Sequence, residues 1–156
     1  MTIRTTPAQL LATPTIPVQV RLAAAWTSFV FLYAYVDILN FYKPGVVEGI
    51  LNGLVWKFDI SATLLTIFLV SVSIPAVMVM LSMALPAPAN RVTNLVVASL
   101  LIPYSLFNAA GATWEWAAFY GISIGIEVLL LAFILRSAWT WRGNAATQTT
   151  PATVGS

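Results

Sequence analysis

A chain of 156 residues that is 60% hydrophobic and only 8% charged lacks the composition of a soluble domain, in which about a quarter of the residues carry charge. A net charge of +2 without a basic run excludes a nucleic-acid partner. With no Cys and no His, disulfides, thiolate or imidazole metal sites, His-ligated haem and Ser-His or Cys-His catalytic pairs are excluded, and no cofactor is expected.

The mean hydropathy of +0.89 points to an all-α integral membrane protein, read here as a four-helix transmembrane bundle with one short interfacial amphipathic helix. Residues 1–20 mix Thr, Ala and Pro and read as a flexible N-terminal tail. A signal peptide is not expected, because the apolar run begins only after Arg21. The transmembrane domain then covers residues 21–142. Its first span, 22–40, carries Asp37 near the far end, on one helical face with Trp26, Val30, Tyr33 and Asn40.

Lys43-Pro44-Gly45 is a turn signal. After it Val46, Val47, Ile50, Leu51, Leu54, Val55 and Phe58 recur at helical spacing, which predicts an interfacial helix over 45–58. Gly45, Gly49 and Gly53 recur every fourth residue and mark a stripe for close helix approach. The second span, 61–85, places Ser71, Pro75, Met78 and Ser82 on one face, with a kink expected at Pro75. Residues 86–90, Pro-Ala-Pro-Ala-Asn, read as a rigid turn. The third span, 91–112, carries a small and polar stripe of Asn94, Ala98, Leu101, Ser105, Asn108 and Ala112, which belongs against other helices because lipid cannot hydrogen-bond Asn.

The fourth span, 117–135, is an unbroken apolar run with Glu127 near its middle. Trp116 and Trp139 flank it about 34 Å apart on a helical rise of about 1.5 Å per residue, close to a hydrocarbon core of about 30 Å. These two, with Trp26, Trp56, Trp114 and Trp141, read as belt residues; an aromatic cage for a cation is the alternative. Residues 143–156 read as a disordered polar tail. Arg4, Arg21, Arg91, Arg136 and Arg142 fall on the side of the termini, so the positive-inside rule places both termini in the cytoplasm.

Tyr33-Ala-Tyr-Val-Asp37-Ile-Leu-Asn40, Pro44-Gly45, Ile74-Pro75 with Met78 and Leu81-Ser82, Asn90-Arg91 and Asn94, Ile126-Glu127-Val128 and Ala138-Trp139-Thr-Trp141 occur in an order that resembles a family of small bacterial four-helix membrane proteins, classed as a domain of unknown function. The likeness covers about residues 20–142. It implies the four-helix fold and a multi-pass protein of the bacterial inner membrane, and it supplies no activity. It also implies an acid directly before Ile74-Pro75, where this chain has Ser73.

Glu127 is the sharpest chemical signal. An ionised group at mid-bilayer costs about 2.5–3.5 kcal/mol on insertion scales, so it is retained for a reason. It is either a proton- or cation-binding group or a protonated carboxyl bonded to Asn94, Asn108, Ser105 or a backbone carbonyl as glue between helices. Tyr120 and Ser123 share its face; Gly121 and Gly125 lie on another, suited to helix packing. Asp37 either pairs with Lys43 or Lys57, caps the turn with Asn40, or forms an outer gate for a cation with Glu48, Asp59 and Glu115 on the same side. Two functional classes follow. The first is a non-enzymatic structural or accessory bundle in the lipid bilayer, acting as a homo-oligomer or within a larger membrane complex. The second is a small proton- or cation-coupled transporter or channel using Glu127. An enzyme is not expected, since no nucleophile–base pair or metal cluster can be assembled.

Overall fold

The computed structural model describes residues 15–110 and 113–141. The readings made for residues 1–14, 111–112 and 142–156 fall outside these described residues. The chain is mostly helical. Helix α1 (Val18–Asn40) is followed by the short α2 (Val46–Leu51) and a small hairpin, β1 (Leu54–Val55) and β2 (Phe58–Asp59); then come α3 (Ala62–Ala84), α4 (Ala87–Phe107), a single 3-10 turn (Trp114–Trp116) and α5 (Ala117–Trp139).

Local chemistry sets the ends. Pro17 stands immediately before α1 and Pro86 before α4, where a missing N–H costs nothing. The Ser61 hydroxyl accepts from the Leu64 N–H at 3.2 Å and caps α3. The segment 86–90, expected as a turn, is instead the start of α4, because Pro88 sits in the first helical turn, the one place a helix tolerates it. The long helices thus run 18–40, 62–84, 87–107 and 117–139 rather than 22–40, 61–85, 91–112 and 117–135. Three segments are long and apolar enough to cross a membrane: Val18–Asn40, Ala62–Ala84 and Trp114–Trp139. Helix α4, with Asn90, Arg91 and Asn94 in its first two turns, is not among them.

The expected helix over 45–58 is corrected. Only 46–51 is helical, and the hairpin takes the rest, pairing Leu54 with Asp59 and Val55 with Phe58. Gly53 ends α2 by turning left-handed (φ 79°), and Gly45 begins it the same way (φ 79°). These glycines serve backbone reversal, so the stripe of every fourth residue is not a packing face. Gly53→Ala should cost about 1 kcal/mol locally. The check is amide exchange, which should quicken over residues 46–59 and not in α3.

The four long helices pack as a ring, with α1 and α4 each lying against α3 and α5. Across the ring, α1 and α4 meet through long side chains. Leu22, Trp26 and Phe29 of α1 join Met78, Ala98, Leu101, Leu131 and Ile134 in the core. The inward face of α3 is Pro75, Met78 and Ser82, and that of α4 is Asn90, Asn94, Ala98, Leu101 and Ser105. Phe31, Leu65, Leu69, Leu100 and Leu129 point outward and are more than half exposed, an apolar exterior that suits lipid rather than water.

Candidate functional site

Two separate polar centres occupy the interior. The first joins α1, α3 and α4. Trp26 Nε1 donates to Asn94 Oδ1 at 2.7 Å, and the Ser82 hydroxyl donates to the same oxygen at 3.4 Å. Asn94 Nδ2 donates to the Asn90 carbonyl (2.9 Å) and to Asn90 Oδ1 (2.6 Å), and Asn90 Nδ2 donates to the Ser82 carbonyl (2.6 Å). All four side chains are fully buried. Every strong donor and acceptor here has a partner, so this centre fastens helices together. Two expectations change. Trp26 is a core residue, not a belt residue, and Asn94 belongs to this network rather than to Glu127.

The second centre is a cavity of about 70 Å³ between α1, α4 and α5, lined by Tyr33, Asp37, Asn40, Asn108, Tyr120, Ser123 and Glu127, with Val36, Ile124 and Trp56 completing the wall. That volume suits about two water molecules at about 30 Å³ each. Tyr120, Ser123 and Glu127 come from successive turns of α5, so Glu127 lies roughly 10 Å below Tyr120 at about 1.5 Å per residue. Asp37 is exposed at the rim; Glu127, only 2% exposed, forms the floor. Of the residues singled out from the sequence, Glu127, Ser123, Tyr120, Asn108 and Asp37 thus share this cavity, and Asn94 does not.

The floor is incompletely satisfied. Ser105 adjoins the Glu127 carboxyl, yet neither Ser105 Oγ nor Glu127 Oε2 reaches hydrogen-bond geometry with any group, and both atoms are buried. An unpartnered buried polar atom costs about 1–3 kcal/mol, and such atoms are uncommon enough to need a reason. Elsewhere the site is tightly knit. Ser123 Oγ donates to the Tyr120 carbonyl at 3.2 Å. The hydroxyls of Tyr33 and Tyr104 lie 3.1 Å apart, and an aromatic column runs from Trp26 through Phe29 and Tyr33 to Tyr104 with centroid spacings of 5.9, 6.2 and 6.5 Å.

Two further groups touch the site that the sequence did not place there, Trp56 in the cavity wall and Lys43 on Tyr120. Trp56 sits at the hairpin turn with φ 57°, a left-handed conformation costly for a bulky residue. Trp56→Gly should relieve about 1 kcal/mol of that strain while removing a wall of the cavity. The expected result is a firmer hairpin by amide exchange together with faster solvent access to Ser123. Lys43, one of two lysines offered as a partner for Asp37, donates to Tyr120 Oη at 2.6 Å and lies over the rings of Tyr120, Phe119 and Trp116.

Gly121 and Gly125 do not pack against another helix of the chain: a Cβ at either would meet nothing within 4 Å among the described residues. With Leu106, Ala109, Val128 and Leu129 they line an open apolar groove between α4 and α5. The described residues contain no group of three or more acidic residues placed to hold a metal ion.

Fold and site together define a mostly helical protein with three helices apolar enough for a membrane and a polar cavity ending on one buried carboxyl. Residues 18–147 match the model of a family of unknown function (DUF6326), and the chain belongs to that family. No curated protein and no solved structure matches the chain.

Proposed function

We propose that the protein is a non-enzymatic four-helix transmembrane bundle of the bacterial inner membrane. In this reading α4 is the fourth span, both termini are cytoplasmic, and residues 46–59 lie at the outer interface. The cavity is then an outward-facing vestibule that takes up a proton or a small monovalent cation at Glu127, with Asp37 at its rim. The observation that carries the reading is the buried, unpartnered Glu127 oxygen at the floor of a polar cavity. A bound proton or cation, with its water, would complete the hydrogen bonding there. Two carboxylates without a third suit a singly charged ion better than the 6–8 oxygen ligands that calcium takes.

Supporting the span assignment, Asn90 and Asn94 of α4 turn inward onto partners, and Val92, Val96, Leu100 and Phe107 are exposed on its outer side. The accessory reading draws on the open α4–α5 groove, whose glycines and apolar walls offer a surface to another helix.

The test of the vestibule is thermal unfolding of purified protein over a range of Na⁺, K⁺, Li⁺ and pH. A ligand at 100 times its Kd stabilises the folded state by about 2.7 kcal/mol. A cation- or proton-dependent rise in Tm is expected, and a flat response to all of them would remove the reading. Orientation is checked separately. In this cysteine-free chain, Asn52→Cys and Glu115→Cys should react with an impermeant thiol reagent applied from outside, and Pro88→Cys should not; the reverse pattern inverts the topology.

A further inference from the structure

Lys43 follows α1 in the turn that leads to α2. Its ammonium lies 4.0 Å from the ring centroid of Tyr120, 4.7 Å from Phe119 and 4.9 Å from Trp116. The hydroxyl of the same Tyr120 accepts a hydrogen bond from it at 2.6 Å. Phe119 and Tyr120 are held edge to face at 5.4 Å, and Trp116 and Phe119 at 6.4 Å, so the three rings form a fixed surface rather than a chance encounter.

Ring faces attract ammonium ions through their quadrupole, without a fixed hydrogen-bond geometry. Such a surface holds a cation loosely and exchanges it readily, unlike a buried ion pair. Tyr120 also lines the vestibule, where Ser123 and Glu127 follow at deeper turns of the same helix. One ring therefore belongs both to the cation-binding surface and to the wall that leads to the unpartnered carboxyl. The charged groups around this path are Asp37 on the α1 side and Glu127 below, both attractive to a cation, with Lys43 itself opposing any second positive charge.

We propose that Trp116, Phe119 and Tyr120 form a receiving site for ammonium-type cations at the vestibule mouth, and that Lys43 is a tethered competitor which a free cation displaces on its way to Glu127. This rests on the reading of the vestibule as a cation site. A lysine that merely pins the turn onto α5 would occupy the same position, and the two roles separate by charge selectivity.

With no native cysteine, Ser123→Cys supplies a single reporter inside the vestibule of the full chain, and Asn108→Cys supplies a second where the first does not fold. Its rate of modification is measured with a cationic reagent, aminoethyl methanethiosulfonate, and with neutral N-ethylmaleimide, in the presence of Lys43 and after Lys43→Met. The cationic reagent should gain about tenfold in Lys43→Met and the neutral one much less; methylammonium should slow the cationic reaction in that variant by competing for the rings. Adding Phe119→Leu should return most of the cationic gain.

Equal gains for both reagents would mean a pin that has come loose, and unchanged rates would mean no obstruction; either overturns the proposal. A cationic gain that survives Phe119→Leu and ignores methylammonium would assign the effect to charge alone and overturn the receiving site. The labelling ratio does not require Glu127 to retain a cation, so its failure is distinguishable from a flat thermal-shift response, which removes the vestibule reading itself.

Discussion

Glu127→Gln should keep the fold and lose the cation- or proton-dependent gain in Tm. Glutamine matches the glutamate in shape and can bond Ser105, so the Tm measured without added cation should move little. The ionisable group is gone, however, and a response worth about 2.7 kcal/mol at saturating cation should fall to nearly nothing. Glu127→Leu sharpens the test. It removes an unpartnered buried oxygen whose burial costs about 1–3 kcal/mol and leaves an apolar side chain of similar size. In the absence of cation this variant should therefore match or exceed the wild type in stability while showing no response. A Gln variant that keeps the full response would place the binding elsewhere. A Leu variant that loses several kcal/mol would mean that the carboxyl is structural glue.

Asn94 has the opposite profile. It accepts from Trp26 and Ser82 and donates twice to Asn90, all within a fully buried cluster. Asn94→Leu removes those bonds and strands the Trp26 indole N–H and the Asn90 amide oxygen. Interhelical hydrogen bonds in membranes average about 0.6 kcal/mol, and each orphaned buried group costs about 1–3 kcal/mol, giving a loss of about 2–4 kcal/mol. Chemical unfolding in detergent measures it, and cation binding by the fraction that remains folded should be unchanged. Trp26→Phe keeps the ring packing and loses one donor, so it should cost about 1 kcal/mol. A loss below about 1 kcal/mol for Asn94→Leu would show that the network contributes little to holding the helices.

Much of this arrangement is legible in the sequence, and the parts that are not share a cause. The Ser71–Pro75–Met78–Ser82 face of α3 and the Asn94–Ala98–Leu101–Ser105 face of α4 follow from helical spacing alone, because each is a property of one helix. The gathering of Asp37, Asn108, Tyr120, Ser123 and Glu127 needs three helices in register, which no spacing within one segment encodes. Glu127 is recognisable as unusual, but helical spacing does not choose among its expected partners Asn94, Asn108 and Ser105: the fold commits Asn94 to Trp26 and Asn90, puts Asn108 in the cavity wall and sets Ser105 beside the carboxyl. Trp26 illustrates the same limit: near the end of an apolar run a tryptophan suits the interface and the core equally well, and only the position of Asn94 across the ring decides. The segment 45–58 misled for a local reason. Its apolar spacing fits a helix, but glycine at 53 favours the left-handed stop that ends α2, and spacing alone does not weigh that preference.

The aromatic column has an electrical consequence. Beyond Glu127, towards the other end of the helices, the buried side chains of Leu131, Ile134 and Phe29 form an apolar septum of low dielectric constant. On the proposed placement, a charge arriving at mid-depth has crossed about half of the transmembrane voltage drop and stops there. At about 2.3 kcal/mol per charge per 100 mV across the whole bilayer, half the drop is worth about 1.2 kcal/mol, or about sevenfold in the ratio of filled to unfilled sites. Occupancy of the carboxyl would then register membrane potential as well as ion concentration in a single compartment. The corresponding signal is a transient charge displacement on a voltage step without steady current; a sustained current would mean that the septum conducts.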